Sequence, residues 1–366
     1  NIGYPVVVRP SYVLGGRSME IVYSDKDLAY YMDQALIASP EKPILIDKFL
    51  EDAIEVDVDG VSDGKDCVIA GIMQHTEEAG IHSGDSSCFL PYYNLDAHRV
   101  QEIKEATQKI AKELKIVGLI NIQYAIKDDE LYILEVNPRG SRTTPFVSKA
   151  TGISWVKIAT ALMMGKTLKE LNVKEEVPRY YSVKEVVLPF NKFPESDIVL
   201  GPEMKSTGEV MGIDKDPGIA FAKAQLAAGT PLPTKGTVLI TLNDSTKNKV
   251  VEVVKKLDSA NFKIVATQGT YQFLKEQGIR VEKVMKIGQG SPNLIDFIKE
   301  QKIDLIFNTP LGKEARMHDK IIRQSAIRYH IPIVTTPSGM KATVEGIYSL
   351  LKKKMEVTPL QTWYQE

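Results

Sequence analysis

The chain has 366 residues, 43% of them hydrophobic and 25% charged, which suffices for two or three units with cores of their own and excludes a disordered or fibrous chain. Lys and Arg total 46 against 47 Asp and Glu, so the formal charge of −1 provides no general basic field for nucleic acid or an anionic membrane, and any phosphate must be held locally. Cys67 and Cys88 form neither a CxxC nor a Cys/His cluster, which excludes a disulfide scaffold and structural zinc and suits a reducing compartment.

The chain opens Asn1-Ile2-Gly3-Tyr4-Pro5, without methionine or a signal-peptide layout, so a fragment of a cytoplasmic protein is expected. Strands are predicted at 6–9, 43–49, 54–61, 67–74, 118–126 and 131–136, with helices at 25–38 and 97–114. In the second helix Val100, Ile103, Ala106, Ile110 and Leu114 recur at steps of three and four, giving one apolar face. Lys127-Asp128-Asp129-Glu130 predicts a hairpin that pairs 118–126 with 131–136. Residues 1–165 therefore read as an α+β domain. Over 166–230, Pro178, Pro189, Pro194, Pro202 and Pro217 break every helical pattern before 218–228, which predicts a connector. From Lys235 strands at 237–242, 262–266, 281–285, 303–307 and 331–335 alternate with helices at 245–257, 269–276, 292–299, 318–329 and 339–353. Such alternation predicts a parallel sheet covered on both faces, an α/β domain over 231–366.

Arg9-Pro10-Ser11-Tyr12-Val13-Leu14-Gly15-Gly16-Arg17 sets a cation at a strand end and two glycines in the next loop, as a polyphosphate site would, though a plain strand and turn explain it slightly better. In Glu135-Val136-Asn137-Pro138-Arg139, residues two apart on a strand share a face. Glu135, Asn137 and, across the hairpin, Gln123 then offer three oxygens with one formal charge, suited to Mg²⁺ that completes its shell from phosphates. A solvated edge-strand face is the even alternative until Arg139 and Arg142 are counted as phosphate partners. Glu55 and Asp57 also share a face, and an exposed acidic face is the expectation for them. Gly80-Ile81-His82-Ser83-Gly84-Asp85-Ser86 reads as a polar loop with a solvated histidine that could donate to phosphate. In the last domain Thr267 and Thr270 flank a strand-to-helix turn, Asn308 and Thr309 end another strand, and Lys283 could add charge, together an anion site at one sheet edge.

Together with Tyr181-Ser182-Val183-Lys184-Glu185-Val186-Val187-Leu188-Pro189-Phe190, these motifs resemble, in order and over essentially the whole chain, the carboxyl-terminal half of carbamoyl phosphate synthetase large subunits. The resemblance implies an ATP-grasp domain incomplete at its N-terminus, a connector, and a methylglyoxal-synthase-like regulatory domain. It implies phosphorylation of carbamate by ATP with Mg²⁺ or Mn²⁺, for pyrimidine or arginine synthesis, in an oligomeric enzyme that also has a glutaminase small subunit. Nucleotide contacts would fall on Arg9, Lys48, Leu50, Glu55, Gly80, Ile81, His82, Ser83, Gln123 and Glu135, and metal ligands on Gln123, Glu135 and Asn137. Arg139 and Arg142 would hold the reacting groups, and Glu77, Asp85 and Glu185 match positions through which some members respond to ornithine. Where methylglyoxal synthases carry a catalytic Gly-Gly-Asp turn this chain has Gly288-Gln289-Gly290-Ser291-Pro292, so its last domain is expected to bind a phosphorylated nucleotide or phosphoribosyl effector. The alternatives are a fragment that acts only as that effector-binding module, or another ATP-grasp ligase, which would lack the last domain.

Overall fold

A computed structural model describes residues 2–11, 18–38, 43–193, 198–309 and 313–364, with the side chains of 191 and 313–316 excepted. The glycine pair Gly15-Gly16 and Arg17 lie outside the described residues. The chain forms two compact units, one of residues 1–179, 200–206 and 358–366, the other of 180–199 and 207–357.

The first unit opens with β1 (Val6–Pro10), β2 (Glu20–Val22), α1 (Asp25–Ala38) and β3 (Ile44–Lys48), whose strands form an antiparallel sheet in the order β2-β1-β3. Val6, Val8 and Val22 are buried in it together with Ala35 of α1. Then follow β4 (Ile54–Asp63), β5 (Cys67–Glu78), β6 (Cys88–Leu90), α2 (Ala97–Glu113), β7 (Val117–Lys127) and β8 (Glu130–Asn137). Their order is β6-β5-β4-β7-β8, antiparallel throughout, with β4 in the middle. The predicted β7–β8 hairpin turns on Asp128 (φ 49°) and Asp129 (φ 59°). Positive φ at both central residues matches the right-handed twist of the flanking strands, and Asp tolerates it better than most residues.

Period-two alternation gives this sheet two unlike faces. Val56, Val58, Ile72, Ile120, Ile122 and Tyr124 point to the face covered by Val100, Ile103 and Ala111 of α2. The other face carries the polar residues of β4, β7 and β8. Two helices that the sequence reading missed, α3 (Thr143–Thr151) and α4 (Trp155–Met163), follow β8, and Val147 of α3 packs against Gly71 of β5.

In the second unit β9 (Tyr181–Val187) and β10 (Gly208–Asp214) pair antiparallel where only a connector was expected. Its prolines flank the two strands rather than interrupt them. Against them packs α5 (Pro217–Ala227), started by Asp216 accepting from the backbone N–H groups of Gly218 and Ile219. The expected alternation then appears as β11 (Thr237–Leu242), α6 (Asp244–Ser259), β12 (Lys263–Thr267), α7 (Gln268–Glu276) and β13 (Glu282–Val284), continuing through α8 (Leu294–Lys299), β14 (Leu305–Thr309), α9 (Lys313–Arg328), β15 (Ile333–Val334) and α10 (Pro337–Lys352). All five strands are parallel in the order β13-β12-β11-β14-β15. Val238, Ile240 and Phe307 face α6, α7 and α10, while Leu239, Val265 and Ile306 face α8 and α9. Burial on both faces is why these strands read as unbroken apolar runs. The last helix, α11 (Leu360–Trp363), belongs to the first unit, where Tyr364 Oη donates to the Lys149 carbonyl. Among the described residues no helix is long and apolar enough to cross a membrane.

Candidate functional site

The polar face of the first unit is built by register. Asp57 on β4 stands opposite Gln123 on β7, which stands opposite Glu135 on β8. One step along, Asp59 stands opposite Asn121, and Asn121 opposite Asn137. Cross-strand neighbours lie on one face, so the six side chains form two adjacent rows.

In the first row Glu135 is exposed and Gln123 half-buried, and Gln123 Nε2 donates to Ser83 Oγ at 3.0 Å, which leaves its carbonyl oxygen available as a ligand. Asp57 is buried, with His75 Nε2 of β5 at 3.3 Å from one of its oxygens and Glu55 at 3.9 Å from the other ring nitrogen. Asp57 Oδ1 and both His75 ring nitrogens make no hydrogen bond. An exposed acidic face for Glu55 and Asp57 is therefore wrong: both are at most 3% exposed, because β4 is central and both its faces are covered.

In the second row Asn137 Nδ2 donates to Asn121 Oδ1 at 3.3 Å and Asn121 Nδ2 donates to Asp59 Oδ1 at 2.9 Å. Arg139 closes the outer end, with Nη2 donating to Asn137 Oδ1 at 2.9 Å and Nη1 to the Gly140 carbonyl. Arg142, exposed, is the N-cap of α3. Burial, and then the charge of Asp57, push the Asp59 carboxyl up to about 6 against hydrogen bonds from Thr143, Asn121 and Ser141 that pull it down.

The 80–86 loop stands beside this face. His82 is half-buried rather than solvated, because it caps the short 3-10 turn Ser83–Asp85, with Nδ1 accepting from Gly84 N–H at 2.9 Å. That bond places the ring proton of the neutral imidazole on Nε2, which can then donate. Burial and the Arg142 charge both lower the His82 pKa, against Asp85, Asp57 and Glu135. Gly80 has φ 103°, and a Cβ there would collide with Phe49, so only glycine allows this approach. Ile81 is half-buried and bridges to Ala79, and Leu50 packs on the cluster of Ala53, Ala79 and Ala125.

Arg9, on β1, pairs its Nε with Asp47 at 3.1 Å, and Lys48 donates to the carbonyls of Gly3 and Tyr4. Asp85 is buried, and its two oxygens accept the backbone N–H groups of Lys205 and Ser206 at 2.7 Å each, so its carboxylate holds the 200–206 segment. Glu77 is half-buried on β5. Glu185, in the second unit, accepts from Gln225 Nε2 at 2.6 Å.

Among the described residues no three His, Cys, Asp or Glu side chains gather as a metal site. The donor set of Gln123, Glu135 and Asn137, one exposed carboxylate and two amide oxygens, suits a divalent cation that draws further oxygens from phosphates, and such an ion would take the Asn137 Oδ1 position that Arg139 holds here.

In the second unit Thr267, Thr270, Asn308 and Thr309 come to the carboxyl edge of the parallel sheet, around β11, where the strand order reverses and such sheets bind ligands. Thr267 Oγ1 donates to Thr241 at 3.2 Å, Thr270 Oγ1 accepts from Leu242 N–H at 2.9 Å, and Thr309 Oγ1 accepts from Asn243 N–H at 3.1 Å. Asn308 Nδ2 donates to the buried Asp319, which also takes Arg323 Nε at 2.7 Å. Lys283 is exposed and opposite Ala266, hence on the other sheet face from Thr267. The nearer cation is Lys247, in the first turn of α6, whose Nζ lies 3.6 Å from the Cβ position at Gly269 where α7 begins. The signal available in the sequence was a lysine in the first turn of a predicted helix, where the dipole disfavours a cation.

Residues 1–171 match the family model for the carbamoyl-phosphate synthase L chain, ATP binding domain, and residues 249–335 match the MGS-like domain. The chain is 54% identical over 368 residues to the carbamoyl phosphate synthase large chain of Archaeoglobus fulgidus, covering 100% of this chain and 34% of that one. It is 55% identical over 366 residues to the large chain of Synechocystis sp., covering 99% and 34%. It thus spans about a third of the length of these relatives. With the carbamoyl phosphate synthase large chain, C-terminal section, of Aquifex aeolicus it shares 49% identity over 373 residues, 97% of this chain and 70% of that one. Among solved structures, the biotin carboxylase domain of Hydrogenobacter thermophilus 2-oxoglutarate carboxylase superposes with a TM-score of 0.51 at 17% identity, covering 62% of this chain and 56% of that chain, a likeness of fold. The chain belongs to the family of carbamoyl phosphate synthase large chains.

Proposed function

We propose that, within a full-length large chain, the first unit phosphorylates carbamate with ATP to give carbamoyl phosphate and ADP, and that the second unit binds a phosphorylated effector that regulates it. The observation that carries this reading is the row Gln123–Glu135 lying beside Asn137 and Arg139, with the His82–Ser83 loop tied to it through Gln123. A carbamate oxygen forms the new bond to the γ-phosphorus as the bond to the ADP oxygen breaks, so no covalent protein intermediate is needed. Mg²⁺ or Mn²⁺, when bound, neutralises charge on the phosphate oxygens. Gln123, Glu135 and Asn137 would hold it. His82 Nε2–H and Ser83 bind the nucleotide, and Arg139 and Arg142 orient the reacting anions. Arg9, Lys48, Leu50, Glu55, Gly80 and Ile81 complete the nucleotide site. A glutaminase small subunit upstream of carbamate formation, and a cytoplasmic location, belong to the same reading.

Calorimetric titration of ADP into the full-length large chain tests it. Mg²⁺ should tighten ADP binding in the parent, and an Asn137→Ala/Glu135→Ala variant should lose that enhancement. An enhancement of the same size in both would contradict the assignment.

A further inference from the structure

Asp59 is 2% exposed, and its carboxylate collects three side-chain hydrogen bonds, from Asn121 Nδ2 (2.9 Å) and Ser141 Oγ (2.9 Å) on Oδ1 and from Thr143 Oγ1 (2.8 Å) on Oδ2. Neither the family resemblance nor the motif reading gave it a part.

We propose that Asp59 is a positioning residue for the candidate metal and phosphate site, setting the amide orientation of Asn137 through Asn121 and the start of the 139–142 loop through Ser141 and Thr143. It rests on the metal-and-phosphate reading above. An ionised carboxylate only accepts, so Asn121 must turn its NH₂ toward Asp59. That leaves Asn121 Oδ1 to accept from Asn137 Nδ2, which in turn leaves Asn137 with its carbonyl oxygen on the outer side. The polarity of the row is thus fixed at its buried end by Asp59 and at its outer end by Arg139, whose guanidinium only donates, to Asn137 Oδ1. With a group at 59 that can also donate, only Arg139 opposes a joint flip of the two amides, after which Asn137 would present NH₂ where a cation needs oxygen. The same carboxylate anchors the turn before α3: the N–H groups of Thr143 and Thr144 donate to Ser141 Oγ, itself held on Asp59, so Arg142 enters the site from a fixed backbone. Partners of this kind orient ligands without touching the ion.

The test measures Mn²⁺ affinity by electron paramagnetic resonance in the presence of ADP, and ADP affinity without metal, on the full-length large chain. Asp59→Asn and Asn121→Leu are compared with the parent and with Glu135→Gln. Either folded variant of the row should weaken Mn²⁺ binding by about 10- to 100-fold while metal-free ADP binding stays at the parent value. Asn121→Leu carries the test if Asp59→Asn does not fold. Parental Mn²⁺ affinity in the row variants, with loss in Glu135→Gln, overturns the positioning role and leaves the site standing. Parental affinity in all three overturns both. A matching loss of metal-free ADP binding also overturns it, in favour of general structural support.

Discussion

Gln123 Nε2 donates to Ser83 Oγ at 3.0 Å, which ties the strand carrying one candidate metal ligand to the loop carrying His82. The bond holds the Gln123 side chain against the loop, beside Glu135 on the neighbouring strand. Ser83→Ala should therefore weaken Mg²⁺-dependent ADP binding about fivefold, corresponding to roughly 1 kcal/mol for one hydrogen bond. Calorimetry on the full-length chain checks this, and an unchanged affinity would show that the tie is incidental.

Arg9, half-buried, is paired through Nε with the exposed Asp47, so the solvent-screened pair contributes about 0–1 kcal/mol to stability. Its terminal Nη groups are the part of the guanidinium that suits phosphate. Arg9→Ala should weaken nucleotide binding more than Arg9→Lys, since a lysine keeps the charge but not the fork. Equal losses in titration would show that fork geometry is irrelevant.

Asp59 gives the first unit a pH signature. Its folded-state pKa of about 6 lies above the ordinary value of 3.8, so between those values the folded chain holds a proton that the unfolded chain has released. Its contribution to stability is thus fully present below about pH 4 and is lost as pH rises through about 6, a change of roughly 3 kcal/mol. Asp59→Asn should remove this slope. Both tryptophans, Trp155 and Trp363, belong to the first unit, so tryptophan fluorescence during denaturation at pH 4.5 and 7 follows this unit alone. Parallel pH profiles for parent and variant would contradict the assignment.

Much of this could be read from the sequence, and the gaps have physical causes. The β7–β8 hairpin was legible because apolar alternation brackets a two-aspartate turn, and that hairpin places Gln123 opposite Glu135. The role of β4 was hidden, since alternating Glu55, Asp57 and Asp59 look alike on a solvated edge strand and on a central strand with a buried polar face. Only tertiary pairing separates the two. Strands β9 and β10 were missed because prolines around them outweighed two short apolar alternations, and α3 because it opens on Thr143, Thr144 and Pro145, residues of poor helix propensity.

At the candidate effector edge Thr267 and Thr270 hold different bonds. Thr270 Oγ1 is the acceptor for the buried Leu242 N–H, whereas Thr267, among the described residues, bonds another hydroxyl. Thr270→Val should cost about 1–3 kcal/mol, by stranding that N–H, whereas Thr267→Val should cost less. Urea denaturation followed by circular dichroism, with hydrogen exchange at Leu242, checks the difference. Comparable stability of the two variants would show that the Leu242 N–H finds another partner.

The central claim is that the β7–β8 face carries phosphoryl-transfer chemistry, and Glu135 supplies its outermost formal charge. The most direct measurement is ATP formation from ADP and carbamoyl phosphate by the full-length large chain with and without Glu135→Gln, with folding checked by tryptophan fluorescence. The account predicts a folded variant whose rate falls by at least about 100-fold, near 3 kcal/mol of lost transition-state stabilisation. A folded Glu135→Gln protein that makes ATP at the parent rate would contradict it.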